Sequence, residues 1–254
     1  MPPLQVLEIQ QRRSQSPETD SELAGHIALM GNSTLFAGVS PSHCRDILSF
    51  ATTRVFAPRE ALYMQGHPVR THVLVETGIV KVIQVSVVGR EVLLWMNGPG
   101  ESVGISNELP CHRHACSARA VERCQALTWE DSRFQTLIGW HPQIAININL
   151  MLAAQLGELE QRFREIATEK AAMRLSLALS RLGAQIGKPI RGGTEIRISR
   201  EELAQMIGTT LFTVSRILTK WADEGFIASR RHNVSIYDTR RLELAGADTT
   251  DIPN

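Results

Sequence analysis

The sequence lacks long apolar runs, paired cysteines and a large excess of charge of either sign. No stretch of about 18 apolar residues occurs in the 254 residues, so we expect no membrane span and no membrane partner. The first 30 residues have no continuous apolar segment of the secretory type, which predicts a cytoplasmic protein. Four cysteines are too few and too unevenly spaced to indicate a disulfide framework.

Catalytic signatures are also missing. The chain has no Ser-His-Asp order, no phosphate-cradling glycine loop and no histidine-rich catalytic motif, so we expect no enzyme. A hydrophobic fraction of 43% and a charged fraction of 21% are ordinary for a globular protein of one or two domains.

The net charge of +1 is unevenly distributed along the chain. Residues 171–241 carry 12 basic and 6 acidic side chains, net +6, whereas the remainder carries 15 and 20, net −5. The C-terminal part is therefore the expected partner of a polyanion.

The pattern of the chain predicts an α+β fold in four parts. Residues 1–32 mix proline, glutamine, serine and charge, which predicts a mobile extension with at most a short helix near Leu4–Arg13. Residues 33–140 begin with a helix within Leu35–Phe56, entered at Ser40-Pro41, and continue as a compact antiparallel β-roll. Its expected strands, separated by turn glycines, are Leu62–Met64, Val73–Glu76, Ile79–Val88, Glu91–Met96 and Ala118–Thr128.

Residues 141–168 have a helical period with a narrow apolar stripe. The stripe steps by 4, 3, 4 and 3 residues, as in a coiled-coil seam. Polar residues flank it on both sides, which favours a dimer seam over a helix lying on its own domain. Its residues are Leu152, Leu156, Leu159, Phe163 and Ile166.

Residues 169–254 contain the strongest motif. A helix over Lys170–Ile186 precedes a capping box at Ser199 and Glu202, and Gly208 permits a tight corner between two further helices. This is the pattern of a helix-turn-helix, and the basic turn and apolar run that follow, Arg230 to Tyr237, predict a hairpin wing. On the second helix Val214, Ile217, Leu218 and Trp221 form the expected buried stripe. The opposite face is where duplex DNA would be met.

These motifs resemble the CRP/FNR family of transcription regulators over about residues 34–240. The segment EELAQMIGTTLFTVSRIL resembles the family's helix pair, and GHPVRTHVLVETGIVKV, with Gly66 and Gly78 at tight turns, resembles its roll motif. The resemblance implies an effector-binding roll, a dimerisation helix and a winged helix-turn-helix. It also implies a homodimer that binds a pseudo-palindromic duplex and acts with RNA polymerase.

The DNA-reading residues depart from the best-known pattern. Leu211-Phe212 stands where the cyclic AMP receptor protein and its relatives have an Arg-Glu pair. Neither Leu nor Phe can form a hydrogen bond to a base edge. The base contact still open to them is an apolar contact with the methyl group of thymine. Phe212 has a second interpretation, as a core residue facing the first helix. Arg216 is the expected guanine reader. The complete set of expected DNA contacts is Arg200, Thr209, Thr210, Leu211, Phe212, Thr213, Ser215, Arg216, Lys220, Arg230 and Arg231.

The effector region departs further. Gly100-Glu101 resembles the start of the family's phosphate-binding cassette, which should end in Arg-Ser, but His114-Ala115 stands there, with Arg113 alongside. A buried cyclic phosphodiester needs a fixed cation, so we expect an effector other than cyclic AMP. Gln155 replaces an adenine-contacting hydroxyl in the long helix. The expected effector residues are Gly100, Glu101, Arg113, His114 and Gln155.

A dense cluster of ligand-type residues leaves three alternatives open. Cys111, His112, His114 and Cys116 are weak candidates for a metal or for thiol oxidation, although their spacing is not that of a zinc finger. Residues 1–43 contain no cysteine, which argues against the FNR type of iron–sulfur cluster. Haem-based gas sensing, with Pro2, His67, His72, His112 or His114 as ligand, is one alternative. The others are an effector-free or thiol-controlled regulator and, remotely, a redox enzyme using Cys111 and Cys116.

Overall fold

The protein folds as a β-roll flanked by helices, followed by a long helix and a small C-terminal domain, which confirms the α+β class. The structure, a computed structural model, describes residues 20–104, 108–109 and 112–247. Within this part, no helix is long and apolar enough to cross a membrane. Cys111 and Pro2 lie outside the described residues.

The N-terminal helices cover one end of the roll. They are α1 (Asp20–Asn32) and α2 (Pro41–Leu48), with a 3-10 turn at Thr34–Phe36 between them. The expected mobile extension is wrong for Asp20–Asn32. In α1 the side chains of His26 and Met30 are buried, and His26 Nε2 lies 3.3 Å from Glu76 Oε1 on the roll. The expected entry of α2 is confirmed, since Ser40 Oγ accepts a hydrogen bond from the backbone N–H of His43.

Two four-stranded antiparallel sheets and a short hairpin form the roll. The sheet orders are β1-β10-β3-β6 and β2-β9-β4-β5, and β7 pairs with β8. The strands are β1 (Thr52–Phe56), β2 (Ala61–Tyr63), β3 (Thr71–Thr77), β4 (Val80–Val85), β5 (Glu91–Asn97), β6 (Ser102–Val103), β7 (Glu108–Leu109), β8 (Arg113–His114), β9 (Ser117–Ala120) and β10 (Cys124–Glu130). Thr52–Phe56 is thus a strand where a helix was expected, and the single expected run at Ala118–Thr128 is divided between β9 and β10.

Helices α3 (Asp131–Trp140) and α4 (Pro142–Thr168) leave the roll towards the C-terminal domain. The buried Asn147 of α4 attaches this helix to the N-terminal segment, because its Nδ2 donates to the carbonyls of Leu35 and Ala37 at 2.9 Å each. Two carbonyls left over by the 3-10 turn are thereby satisfied. The start of α4 is consequently fixed to its own roll.

The C-terminal domain is a winged helix-turn-helix. A four-stranded sheet of order β11-β12-β14-β13 packs with four helices. The elements are α5 (Ala171–Ile186), β11 (Lys188–Ile190), β12 (Gly193–Arg197), α6 (Arg200–Ile207), α7 (Leu211–Asp223), β13 (Ile227–Ser229), β14 (Asn233–Ile236) and α8 (Thr239–Ala247). Both halves of the predicted capping box are present, and Gly208 adopts φ +65° at the corner between α6 and α7. The expected wing is the β13–β14 hairpin.

One apolar cluster joins the roll to the C-terminal domain. It includes Ile83, Leu93 and Met96 of the roll together with Leu203 and Ile207 of α6, all buried. Charged pairs surround it: Lys81 Nζ lies 2.7 Å from Glu202 Oε1, and Arg197 Nη1 lies 2.7 Å from Glu122 Oε2. Burial of apolar side chains on both sides fixes the orientation of the helix-turn-helix relative to the roll.

Candidate DNA interface and effector region

The first turn of α7 presents apolar side chains to solvent. Leu211 is 51% exposed and Phe212 is 74% exposed, so the interpretation of Phe212 as a core residue is wrong. Thr210 caps the helix, since its Oγ1 accepts from the backbone N–H of Thr213 at 3.1 Å. Its Oγ1 also lies 2.9 Å from Thr213 Oγ1, so the two hydroxyls bond each other. The buried stripe is the expected one, and Arg216 and Lys220 lie on the exposed side.

Basic side chains surround this turn. Arg200, at the start of α6, donates from Nε and Nη2 to Ser229 Oγ at 3.3 and 3.2 Å, which holds it against the wing. Arg230 and Arg231 are exposed in the wing turn. A cleft of about 1230 Å³ between the helix-turn-helix and the roll brings together five of the expected DNA residues, which are Arg200, Leu211, Ser215, Arg230 and Arg231.

The remaining expected DNA residues lie outside that cleft. Phe212, Thr213 and Arg216 are on the adjoining side of α7, and Thr209 is in the corner, where its N–H bonds the Ala204 carbonyl. Lys220, at the far end of the helix, lines a separate cavity of about 440 Å³ with Phe226 and Arg241. The cleft and the adjoining row that carries Phe212 and Arg216 are therefore two distinct surfaces of α7.

Helix α4 has an outward apolar stripe and an inward charged face. All five expected seam residues are exposed in the protomer, and Phe163 is the most exposed at 75%. On the inward face Arg162 donates to the Leu94 carbonyl and to Glu158, and its guanidinium lies 4.8 Å from the centre of the Trp95 ring. The exposed stripe is thus left without a partner within the described part of the chain's own roll.

An ion pair connects α4 to the C-terminal domain. The buried Glu165 accepts from Arg181 Nη1 at 2.7 Å and from Nη2 at 3.0 Å. Burial raises the pKa of Glu165, but the hydrogen bonds and charge of Arg181 outweigh burial and lower the pKa overall. Because α4 also holds the roll through Arg162, it links β5 to α5.

The end of the expected cassette is a buried aromatic stack. The His114 ring lies on the Tyr63 ring with centroids 3.8 Å apart. Gly104, at φ +99°, closes over this stack, because a Cβ there would lie 3.1 Å from Tyr63 Cε1 and 3.6 Å from His114 Cε1. Burial, followed by the neighbouring histidines 72, 112 and 67, lowers the pKa of His114 to about 4. His114 is therefore neutral at physiological pH.

Residues 53–139 match the cyclic nucleotide-binding domain, and residues 173–245 match the Crp-like helix-turn-helix domain. The cyclic AMP receptor protein of Thermus thermophilus is 30% identical over 214 residues, which cover 84% of this chain and 97% of that protein. This chain belongs to the CRP/FNR family of transcription regulators. Solved structures with the same fold include FixK2 from Bradyrhizobium japonicum, with a TM-score of 0.68 at 22% identity over 79% of this chain and 99% of that one. Another is the c-di-GMP responsive regulator CLP from Xanthomonas campestris, with a TM-score of 0.67 at 23% identity. The match covers 78% of this chain and 100% of that one.

Glu101, which the resemblance places at the start of the cassette, makes its hydrogen bonds to the Gly98 backbone and to the C-terminal domain. Its Oε2 accepts from the Gly98 N–H at 2.6 Å and its Oε1 accepts from Gln185 Nε2 of α5 at 2.8 Å. Burial raises the pKa of this carboxyl, although both hydrogen bonds act to lower it. The two hydrogen bonds of Glu101 thus hold it to its own turn and to the C-terminal domain. The expectation that Glu101 and His114 belong to one effector set stays a prediction; in this structure Glu101 bonds the C-terminal domain and His114 stacks on Tyr63.

Gly104, Tyr63 and Gln185 are the residues that the sequence reasoning missed. A second glycine four residues after Gly100 was the available signal for Gly104. The exposed Arg113 donates from Nη1 to the Gly66 carbonyl at 2.7 Å and does not enter the stack. Gln155 is half-buried on the side of α4 that carries Met151, whose Sδ lies 4.0 Å from Ser102 Oγ.

Within the described residues, no group of three or more His, Cys, Asp or Glu side chains fits a metal ion. His72 Nε2 and His112 Nε2 both bond Asp131, at 2.7 and 2.8 Å. His114 is stacked, and Cys116 is buried with its pKa raised by burial to about 11. A thiol with such a pKa reacts poorly with oxidants. Haem-based gas sensing therefore stays a prediction.

Proposed function

We propose that this CRP/FNR regulator is a homodimer that binds a pseudo-palindromic duplex and responds through its roll to an effector other than cyclic AMP. The single observation that carries the proposal is the exposed first turn of α7, with Phe212 and Arg216 on its open side and the wing arginines beside it. The alternative of a redox enzyme is wrong, because members of this family regulate transcription and are not enzymes.

The homodimer is supported by the exposed stripe of α4. Two copies joined along that stripe would present two recognition helices to successive major grooves about 34 Å apart. Basic side chains around each α7 would displace counterions from the phosphates. Contact with RNA polymerase stays a prediction from the family.

Communication from the roll is supported by three contacts between domains. Glu101 in the β5–β6 turn bonds Gln185, Arg162 joins α4 to β5, and Glu165 joins α4 to Arg181. An effector that shifts the β5–β6 turn would therefore change the balance between two orientations of the helix-turn-helix. Control by the Cys116 thiol is disfavoured by its burial, and an effector-free regulator is an alternative that the binding experiment distinguishes.

The test is a selection of duplexes from a random pool with the full-length protein, followed by binding measurements at several salt concentrations. We expect a two-fold symmetric site, and an affinity that falls steeply with salt because several phosphates are contacted. If the purified protein binds the duplex, and if adding fractions of a cell extract does not change its affinity, the protein is an effector-free regulator. Absence of a salt-dependent preference for any duplex would overturn the proposal.

Cyclic AMP is expected to leave DNA affinity unchanged within twofold. The position that should carry a fixed cation holds the neutral, stacked His114, and Arg113 is bonded to a backbone carbonyl outside the stack. A buried phosphodiester without a cation would remain uncompensated. Titrating the selected duplex with and without millimolar cyclic AMP checks this. A tenfold increase in affinity, matched by calorimetric binding of the nucleotide, would contradict it.

A further inference from the structure

The first turn of the recognition helix has an exposed aromatic ring where base edges would be read. Phe212 is the second residue of α7 and 74% of it is exposed. Every large apolar residue of the next turns of this helix, such as Val214, Ile217 and Leu218, is buried. A phenylalanine this exposed contributes little to the core, and here it lies on the helix face that would meet DNA.

Leu211 and Phe212 lie on different rows of the helix. Leu211 and Ser215, four residues apart, both line the cleft between the helix-turn-helix and the roll. Phe212 and Arg216 have the same spacing and lie on the adjoining, open row. Phe212 therefore shares its row with the arginine that is proposed to read guanine, whereas Leu211 is directed towards the roll.

Neighbouring polar groups are already used within the protein. The hydroxyls of Thr210 and Thr213 bond each other and cap α7, and Arg200 is held by Ser229. The cleft on the Leu211 side of this turn is lined by more basic than acidic side chains, among them Arg200, Arg230 and Arg231, which suits a polyanionic duplex and not an apolar protein surface. A duplex is therefore the occupant that this turn fits.

In the major groove the apolar group available to such a ring is the C5 methyl of thymine. Guanine, adenine and cytosine present polar atoms there, and covering them with a phenyl ring would leave them without hydrogen bonds. We propose that Phe212 is a specificity-determining residue that selects a thymine in each half-site through its C5 methyl group. This inference rests on the proposed function, since it requires that α7 enters the major groove.

The experiment uses the selected duplex with each thymine replaced in turn by deoxyuridine, which removes only the methyl group. Burial of one methyl predicts about fourfold weaker binding by the wild type at one thymine position of a half-site, and about 15-fold when both half-sites are changed. Phe212→Ala should bind the thymine and uracil duplexes equally well. Because Phe212 is exposed, this variant should keep the melting temperature of the wild type.

Leu211→Ala is the matched control and should retain the preference for thymine over uracil. Placing cytosine or 5-methylcytosine at the same position tests the methyl group on another base, and the methylated duplex should bind about fourfold more tightly. Equal binding of thymine and uracil duplexes at every position by the wild type would overturn the inference, as would a preference that survives in Phe212→Ala. Failure to select any duplex would instead overturn the proposed function.

Discussion

Phe163→Glu is expected to convert the protein from a dimer into a monomer and to weaken binding of the selected duplex by about 100-fold or more. Phe163 is the most exposed residue of the α4 stripe, and in the proposed homodimer two-fold symmetry would bring two copies of the stripe together. Loss of a buried phenyl ring on each side removes about 1.5–3 kcal/mol per ring. Two carboxylates in the seam then repel each other, and a monomer retains only one half-site.

Sedimentation equilibrium and duplex titration measure these two effects in the same preparation. Val87→Glu, at the exposed tip of the β4–β5 turn, introduces the same carboxylate away from the seam and should leave both unchanged. Circular dichroism should show that each variant is folded, since neither position is in a core. A Phe163→Glu protein that stays dimeric would show that the stripe is not the seam.

The helix-turn-helix could be predicted closely because its signals are local. Ser199 and Glu202 form a capping box three residues apart, Gly208 supplies the left-handed corner, and Thr210 caps the next helix. Each of these features depends on residues within one turn of the chain. The sequence pattern therefore predicted the start of α6, the corner after it and the buried stripe of α7 from neighbouring residues alone.

The inward face of α4 could not be predicted in this way. Its partners are distant in sequence: Arg162 meets Leu94 of the roll, and Glu165 meets Arg181 of α5. As a pattern, these charged residues flank an apolar stripe and suggest a solvated surface. Tertiary contacts bury Glu165, and only a structure shows that the polar flank is the face that joins the two domains.

The cassette illustrates a different difficulty, which is register. Gly100 and Gly104 both lie in the segment that resembles the start of the cassette, and the glutamate after Gly100 favours the first of them. Packing distinguishes the two glycines, since Gly104 lies against the Tyr63–His114 stack, whereas Glu101, next to Gly100, bonds Gln185. Helix α1 was not expected from the sequence. Its buried side chains, such as Met30, are enclosed by α2 and the roll, so the contacts that stabilise it come from other elements.

Arg216→Ala should weaken binding to the selected duplex by roughly 30-fold or more and relax selectivity at one position of each half-site. A bidentate arginine–guanine contact accounts for about 1–3 kcal/mol of discrimination, and a symmetric dimer loses two such contacts. Arg216 lies on the exposed side of α7, one turn beyond Phe212, so its replacement removes no core contact. A second selection with the variant measures the change in sequence preference directly.

Two further variants separate base reading from general charge. Lys220→Ala, at the far end of α7, should weaken all duplexes by a similar factor and reduce the salt dependence by about one counterion per protomer, as expected of a phosphate contact. Arg45→Ala, on the exposed surface of α2, removes the same charge far from the wing and should alter neither quantity. If Arg216→Ala instead behaved like Lys220→Ala, losing affinity evenly across sequences, Arg216 would be a phosphate contact. The guanine in each half-site would then have to be read by another residue of the open row.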